Sequence, residues 1–267
     1  MPVPDWQDLA AFAVHVAHEA GRIALSCFRR RGLAVMAKSE KPAEEGGFDP
    51  VTEADRKAEH HMRRLIATRH PDHGIRGEEY GHKEGKGLAW VLDPIDGTRA
   101  FVCGLPTWTV LIALEEEGCP RIGVIHQPLL GETYLGTPEG AWLLKGEGRT
   151  PLVTRKGAAL AEACAGTTLP DIYTSHEQRR MLRTMRENVR ELRYDADAYF
   201  YAMVAAGFMD IAFDTEMQPH DMSALIPVVR GAGGCVADWQ GGEDFARGNI
   251  LATASRDLQE ALLQKLQ

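Results

Sequence analysis

Apolar residues recur at Leu9, Phe12, Val16, Ala20, Ile23 and Cys27. Steps of three and four place them on one helical face, so a helix is predicted over residues 5–30 with Asp5 as its N-cap. The polar stretch "KSEKPAEEGGFDP" interrupts that pattern. Thr52-Glu53-Ala54-Asp55 then reads as a capping box, opening a second helix that runs to about Arg69 and stops at "HPDHG". From Leu88 to Leu144 the period shortens. "LAWVL", "TVLIALEEE", "RIGVIHQ", "ETYLG" and "AWLL" are strand-like runs separated by Gly and Pro. Links as short as "EGCP" and "PLLG" predict antiparallel neighbours.

The second half alternates differently. A helix over about 175–190 precedes a strand near "ELRY", and a helix near "AYFYAMVAA" precedes "MDIAF". A third helix, "DMSALIPVVRGA", precedes "GCVADW", and a last helix starts at the cap Ser255. Helices and strands in alternation predict a layered α/β half. The change of character falls near residue 150, dividing the chain into 1–150 and 151–267, two halves expected to pack as one unit. "GAGG" reads as a helix C-cap and tight turn. Trp108 and Trp142 are expected in the core of the sheet.

Composition narrows the class. The chain has 267 residues, 44% hydrophobic and 25% charged, with a net charge of −8. That charge disfavours duplex nucleic acid and anionic membranes as partners. No apolar run approaches the ~20 residues that span a bilayer. "MPVPDWQDLA" lacks signal-peptide features, so a cytoplasmic location is expected. Cys27, Cys103, Cys119, Cys164 and Cys235 are scattered, which predicts reduced and mostly buried thiols.

The candidate chemistry is acidic. In "WVLDPIDGTRAF", Asp93 and Asp96 end an apolar run. Asp-Pro and Asp-Gly are turn dipeptides. Two carboxylates, a hydroxyl and a glycine N–H within six residues also suit a hard divalent cation, and the residues alone leave both readings open. Glu78 and Glu79 in "GIRGEEYG" suit a solvated surface, and Thr52 and Asp221 are each explained as helix caps. His15 and His18, and His60 and His61, lack further ligands. No G-x-S-x-G elbow or Walker A loop occurs.

"DPVTEAD", "GEE", "LDPIDGT" and a late "PHD" before "GAGG" occur in order and resemble the signatures of the inositol monophosphatase superfamily over residues 8–260. The resemblance implies an αβαβα sandwich like that of the inositol monophosphatases and fructose bisphosphatases. It implies a Mg²⁺-dependent phosphatase with two or three ions per site, acting on a small phosphorylated metabolite, commonly as a homodimer. Glu78, Asp93 and the carbonyl of Ile95 would hold one ion. Asp93, Asp96 and Asp221 would hold a second, and Glu78 would face a third. Asp49 and Thr98 would activate the attacking water, and the N–H groups of Gly97 and Thr98 would hold phosphate oxygens.

Within the superfamily, "HGIRGEEYG", "DGTRAFVCGLPTW", "IHQPLLGETYLG", "TTLPDIY" and "EMQPHDMSALIPVVRGAGG" are similar to the histidinol-phosphate phosphatases. Asp197 and Asp214 fall where that resemblance implies substrate-binding acids, beside Asp96. Asp195, Asp197, Asp214 and Glu216 together would suit a cationic substrate such as histidinol phosphate. The chain departs from the pattern at Asp195, Gln218 and His126. Inositol 1-phosphate or another small phosphate ester is the alternative substrate. A binding or regulatory protein that keeps the fold without the catalysis is the rival class.

Overall fold

The N-terminal apolar stripe forms α1 (Trp6–Cys27), and the Asp5 carboxylate accepts from the N–H groups of Gln7 and Asp8. The computed structural model describes residues 4–31, 35–37 and 50–266, so Asp49 lies outside the described residues. Two short strands, β1 (Val35–Ala37) and β2 (Pro50–Thr52), pair antiparallel and lead into α2 (Glu53–Arg69). The capping box is present: Thr52 caps the helix and the Asp55 carboxylate reaches back to the Thr52 N–H.

An eight-stranded sheet follows. Its strands are β3 (Gly74–Gly77), β4 (Gly81–Lys83), β5 (Leu88–Asp96), β6 (Thr109–Glu116), β7 (Cys119–Gln127), β8 (Glu132–Thr137), β9 (Gly140–Lys145) and β10 (Gly148–Pro151). A short helix, α3 (Thr98–Cys103), joins β5 to β6. The spatial order is β10-β9-β8-β7-β6-β5-β3-β4, antiparallel throughout except where β3 lies parallel to β5. The antiparallel run matches the short links. β3 and β4, "GIRG" and "GHK", carry too few residues to show a period.

The second half contains β11 (Cys164–Thr167), α4 (His176–Asn188), β12 (Glu191–Tyr194), α5 (Asp197–Ala205), β13 (Ile211–Asp214), α6 (Pro219–Met222), α7 (Leu225–Gly231), β14 (Cys235–Ala237), β15 (Ile250–Thr253) and α8 (Arg256–Leu266). The strands form a mixed sheet in the order β12-β11-β13-β15-β14. The single helix expected over "DMSALIPVVRGA" is two. Pro227 has no N–H to bond back to Ser223, so the ladder breaks between α6 and α7.

Three apolar clusters reveal five layers. α1 and α2 pack on one face of the eight-stranded sheet. α5 and α7 fill the space between its other face and the five-stranded sheet. α4 and α8 cover the far side. α5 has buried residues nearly all the way round because a sheet lies on each side of it. The αβαβα sandwich expected from the resemblance is the observed architecture.

Two expectations change. Trp108 is fully buried, but Trp142 is half-buried near the sheet edge, under the Arg149 guanidinium 4.1 Å from its ring. The cysteines are free, but of the five only Cys27 is buried: Cys164 and Cys235 are half-buried, and Cys103 and Cys119 are exposed. No helix among the described residues is long and apolar enough to cross a membrane.

Candidate metal centre

β5 carries the centre. In a regular strand, residues three apart point to opposite faces, which would separate Asp93 from Asp96. Pro94 cannot donate to the ladder, and the register against β6 shifts between these two aspartates. The Ile95 N–H turns back to Asp93 Oδ1 at 3.0 Å. The irregularity brings both carboxylates to one side, where α6 delivers Asp221. Ligand atoms of Asp93, Asp96 and Asp221 all lie within 4.8 Å of one another. Asp221 is not the N-cap of its helix. It stands three residues further on and accepts the Gln218 N–H at 2.7 Å.

Glu78 joins from the turn after β3, its N–H 3.3 Å from the Leu92 carbonyl of β5. Its carboxyl is hydrogen-bonded to Asp93. His220 holds Nε2 at 3.8 Å from Glu78 and 3.5 Å from Asp221. The Ile95 carbonyl accepts the Thr98 hydroxyl at 3.0 Å.

The electrostatics follow from burial. Asp93 is 2% exposed, and burial, followed by the charges of Glu78, Asp96 and Asp221, pushes its carboxyl well above the usual range. Asp96 is pushed up by burial, Asp197 and Asp221. The Ala198 N–H and the Thr109 hydroxyl, donating at 3.0 and 3.2 Å, oppose that rise. Carboxylates so close and so dry hold protons unless a cation replaces them. An all-oxygen donor set fits a hard divalent cation of the Mg²⁺ type.

Thr98 opens α3 behind Gly97, which adopts φ 79° and ψ 40°. A Cβ at Gly97 would also come within 2.8 Å of Asp197 Oδ2. The carboxylate brought to Thr98 is Asp55, whose Oδ1 lies 3.5 Å from the hydroxyl. Asp49, the acid the sequence reading pairs with Thr98, lies outside the described residues, so Asp55 is the carboxylate seen beside Thr98 among the described ones. Burial raises the Asp55 carboxyl to about 6 against the opposing hydrogen bonds from Thr52, with Glu79 and Glu78 adding to the rise. The capping box explained Asp55 completely at the sequence level, and no local signal marked its second role.

The two expected substrate acids part company. Asp197 has φ 42° and neighbouring Asp195 φ 69°, backbone that costs strain at a non-glycine residue. Asp197 lies beside Gly97 at the edge of the cluster. Its carboxyl is raised to about 6 by burial, against the Thr168 side chain and Arg99. Asp214 is instead in the core. Thr167 Oγ1, the Thr168 N–H and Tyr201 Oη donate to it at 2.9, 2.8 and 3.0 Å. Burial raises it to about 7. Glu216 is exposed at φ 61° and accepts from Gln178.

The family model for the inositol monophosphatase family matches residues 5–267. A histidinol-phosphatase from Chlorobaculum parvum is 37% identical over 268 residues, covering 97% of this chain and 95% of that protein. An inositol-1-monophosphatase from Mesorhizobium japonicum is 32% identical, covering 82% and 84%. Among solved structures, an inositol monophosphatase from Zymomonas mobilis superposes with a TM-score of 0.83 at 30% identity, covering 99% of each chain.

Proposed function

The chain belongs to the inositol monophosphatase family, a metal-dependent family of phosphatases, and we propose that it is a Mg²⁺-dependent phosphomonoesterase whose substrate is L-histidinol phosphate. The observation that carries the metal reading is the convergence of Asp93, Asp96 and Asp221 within 4.8 Å. Glu78, Asp93 and the Ile95 carbonyl would hold one ion; Asp93, Asp96 and Asp221 would hold another. Bound there, divalent cations offset the carboxylate charge, polarise the phosphate and lower the pKa of water.

The chain's own groups supply the rest. Thr98 and Asp55 orient a water, and Asp55 takes its proton as the water oxygen bonds to phosphorus. A carboxyl raised to about 6 is still mostly ionised at neutral pH and is a stronger base than an ordinary aspartate. The N–H groups of Gly97 and Thr98 face a phosphate oxygen, since the first N–H groups of a helix have no partner within it. The P–O bond to the alcohol breaks opposite the incoming water, and solvent protonates the departing oxygen.

The substrate reading draws on the 37% identical histidinol-phosphatase, on Asp197 at the edge of the cluster and on the exposed Asp195 two residues before it. A cationic alcohol such as histidinol would pair with them, whereas neutral inositol would not. Turnover of histidinol phosphate and inositol 1-phosphate with Mg²⁺ tests this, with at least a tenfold preference in kcat/KM expected for the former. Equal or faster turnover of inositol 1-phosphate overturns the substrate. A wild type inert on every phosphomonoester overturns the catalytic reading in favour of a binding role. D93N is expected to lose more than ~10³-fold in kcat, since it removes a ligand shared by both ions.

A further inference from the structure

α2 presents Asp55, Glu59 and Arg63 at four-residue spacing, which stacks them along one helical face. Asp55 serves Thr98, but Glu59 has a different task. It is fully buried. Its carboxylate accepts the backbone N–H of Glu79 at 2.6 Å and of Tyr80 at 3.2 Å. Arg63 Nε donates to it at 2.7 Å, and Arg63 Nη2 donates to the Gly81 carbonyl. On the other side of the turn, Gly77 passes so close that a Cβ there would lie 2.0 Å from Glu59 Oε1. α2 therefore holds the turn at Glu79, Tyr80 and Gly81 and packs directly against Gly77, while the Glu78 N–H bonds to Leu92 of β5.

We propose that Glu59 is a positioning residue: through Arg63 and the N–H groups of Glu79 and Tyr80 it fixes the turn that aims Glu78, and so sets the affinity of the centre for divalent cations. The inference rests on the metal reading above. Only a carboxylate offers lone pairs to three donors while presenting no hydrogen of its own. Gln at this position would point an NH₂ at donors and loosen the turn. The neighbouring carboxylates of the centre would then drive Glu78 outward, against the longer Arg56–Glu79 ion pair at 3.8 Å that also ties the turn to α2.

The test compares E59Q with D210N. Asp210 is an equally buried carboxylate that accepts from Arg155 Nε and from the Cys164 N–H, both at 2.8 Å, in the other half of the molecule. Mg²⁺ and Mn²⁺ are titrated calorimetrically into each metal-free protein, and amide exchange is followed at Glu79 and Tyr80. E59Q is expected to weaken the tightest divalent ion at least tenfold and to speed exchange at both amides at least tenfold. D210N, with a comparable fall in Tm, is expected to keep both within twofold of wild type. R63K keeps the charge but loses the second link to Gly81, and a threefold or greater loss of metal affinity is expected. That readout stands if E59Q does not fold. Wild-type metal affinity in E59Q or, failing its folding, in R63K overturns the inference and leaves the metal reading intact. So does an equal loss of affinity in D210N. A wild type that binds neither ion overturns the metal reading, and the inference with it.

Discussion

Aspartate plays opposite parts at this centre and in the core beside it. Asp214 has its oxygens taken up by Thr167, Thr168 and Tyr201. Burial holds its carboxyl at about 7, against an ordinary 3.8. The folded state binds that proton more tightly than the unfolded chain does. The stability it adds is full below about pH 4 and is lost as pH rises through 7. D214N keeps an acceptor for Thr167 and Thr168 and turns an N–H₂ toward Tyr201. Its stability relative to wild type is expected to rise between pH 4 and 8, by on the order of 3–4 kcal/mol, measured by denaturant unfolding at each pH. KM for a cationic phosphate ester is expected to stay within threefold, and a tenfold rise would place Asp214 against substrate. Asp55 predicts the reverse pattern. D55N removes the group proposed to take the water's proton, so kcat is expected to fall ~10²–10⁴-fold, while calorimetric Mg²⁺ affinity changes less than fivefold.

At the scale of elements, geometry rather than composition makes the centre. The shift at Pro94 re-aims one strand so that residues of opposite parity share a face, and Gly97 then turns the chain straight into α3. G97A forces a left-handed conformation on an L-residue, which costs roughly 1–2 kcal/mol, and pushes a methyl toward Asp197. It is expected to lower kcat by at least tenfold in a steady-state assay while leaving the far-ultraviolet circular dichroism unchanged. That cluster was visible in the sequence, because apolar strand, aspartates, proline and glycine stand side by side in the chain, but only the resemblance decided between a turn and a metal site. Asp221 was not legible from its neighbours: alone it looked like a cap, and only the resemblance tied it to residues more than a hundred positions earlier. Asp55 and Glu59 were hidden for the opposite reason. Each has a sufficient local explanation on a helix, as a box residue or a solvated acid, and the structure alone reveals what faces them. The strands that escaped the pattern, such as "GIRG" and "CAGT", are short and rich in glycine, and their neighbours in the sheet define them. Proline split one expected helix because a missing N–H outweighs an apolar periodicity.

Across the whole molecule, the acids arrive from separate layers: Asp55 from α2, Glu78 and the pair on β5 from the large sheet, Asp197 and Asp221 from the helices between the sheets. Their repulsion is therefore stored between layers, and what relieves it joins those layers. Two agents can relieve it, protons and divalent cations, and they compete for the same oxygens. Asp93 and Asp96 hold protons well above the ordinary range when no cation is present. The sign follows: these groups add stability at low pH that the metal-free protein loses as pH rises through their raised pKa values, and cation binding restores it by displacing the protons. Tm measured in EDTA and in excess Mg²⁺ is expected to differ more at pH 7.5 than at pH 5. Mg²⁺ affinity is expected to weaken by up to about tenfold per pH unit for each proton displaced. A Mg²⁺-induced shift in Tm that is the same at both pH values would mean that the bound ion displaces no carboxyl proton, and Asp93, Asp96 and Asp221 would then not be its ligands.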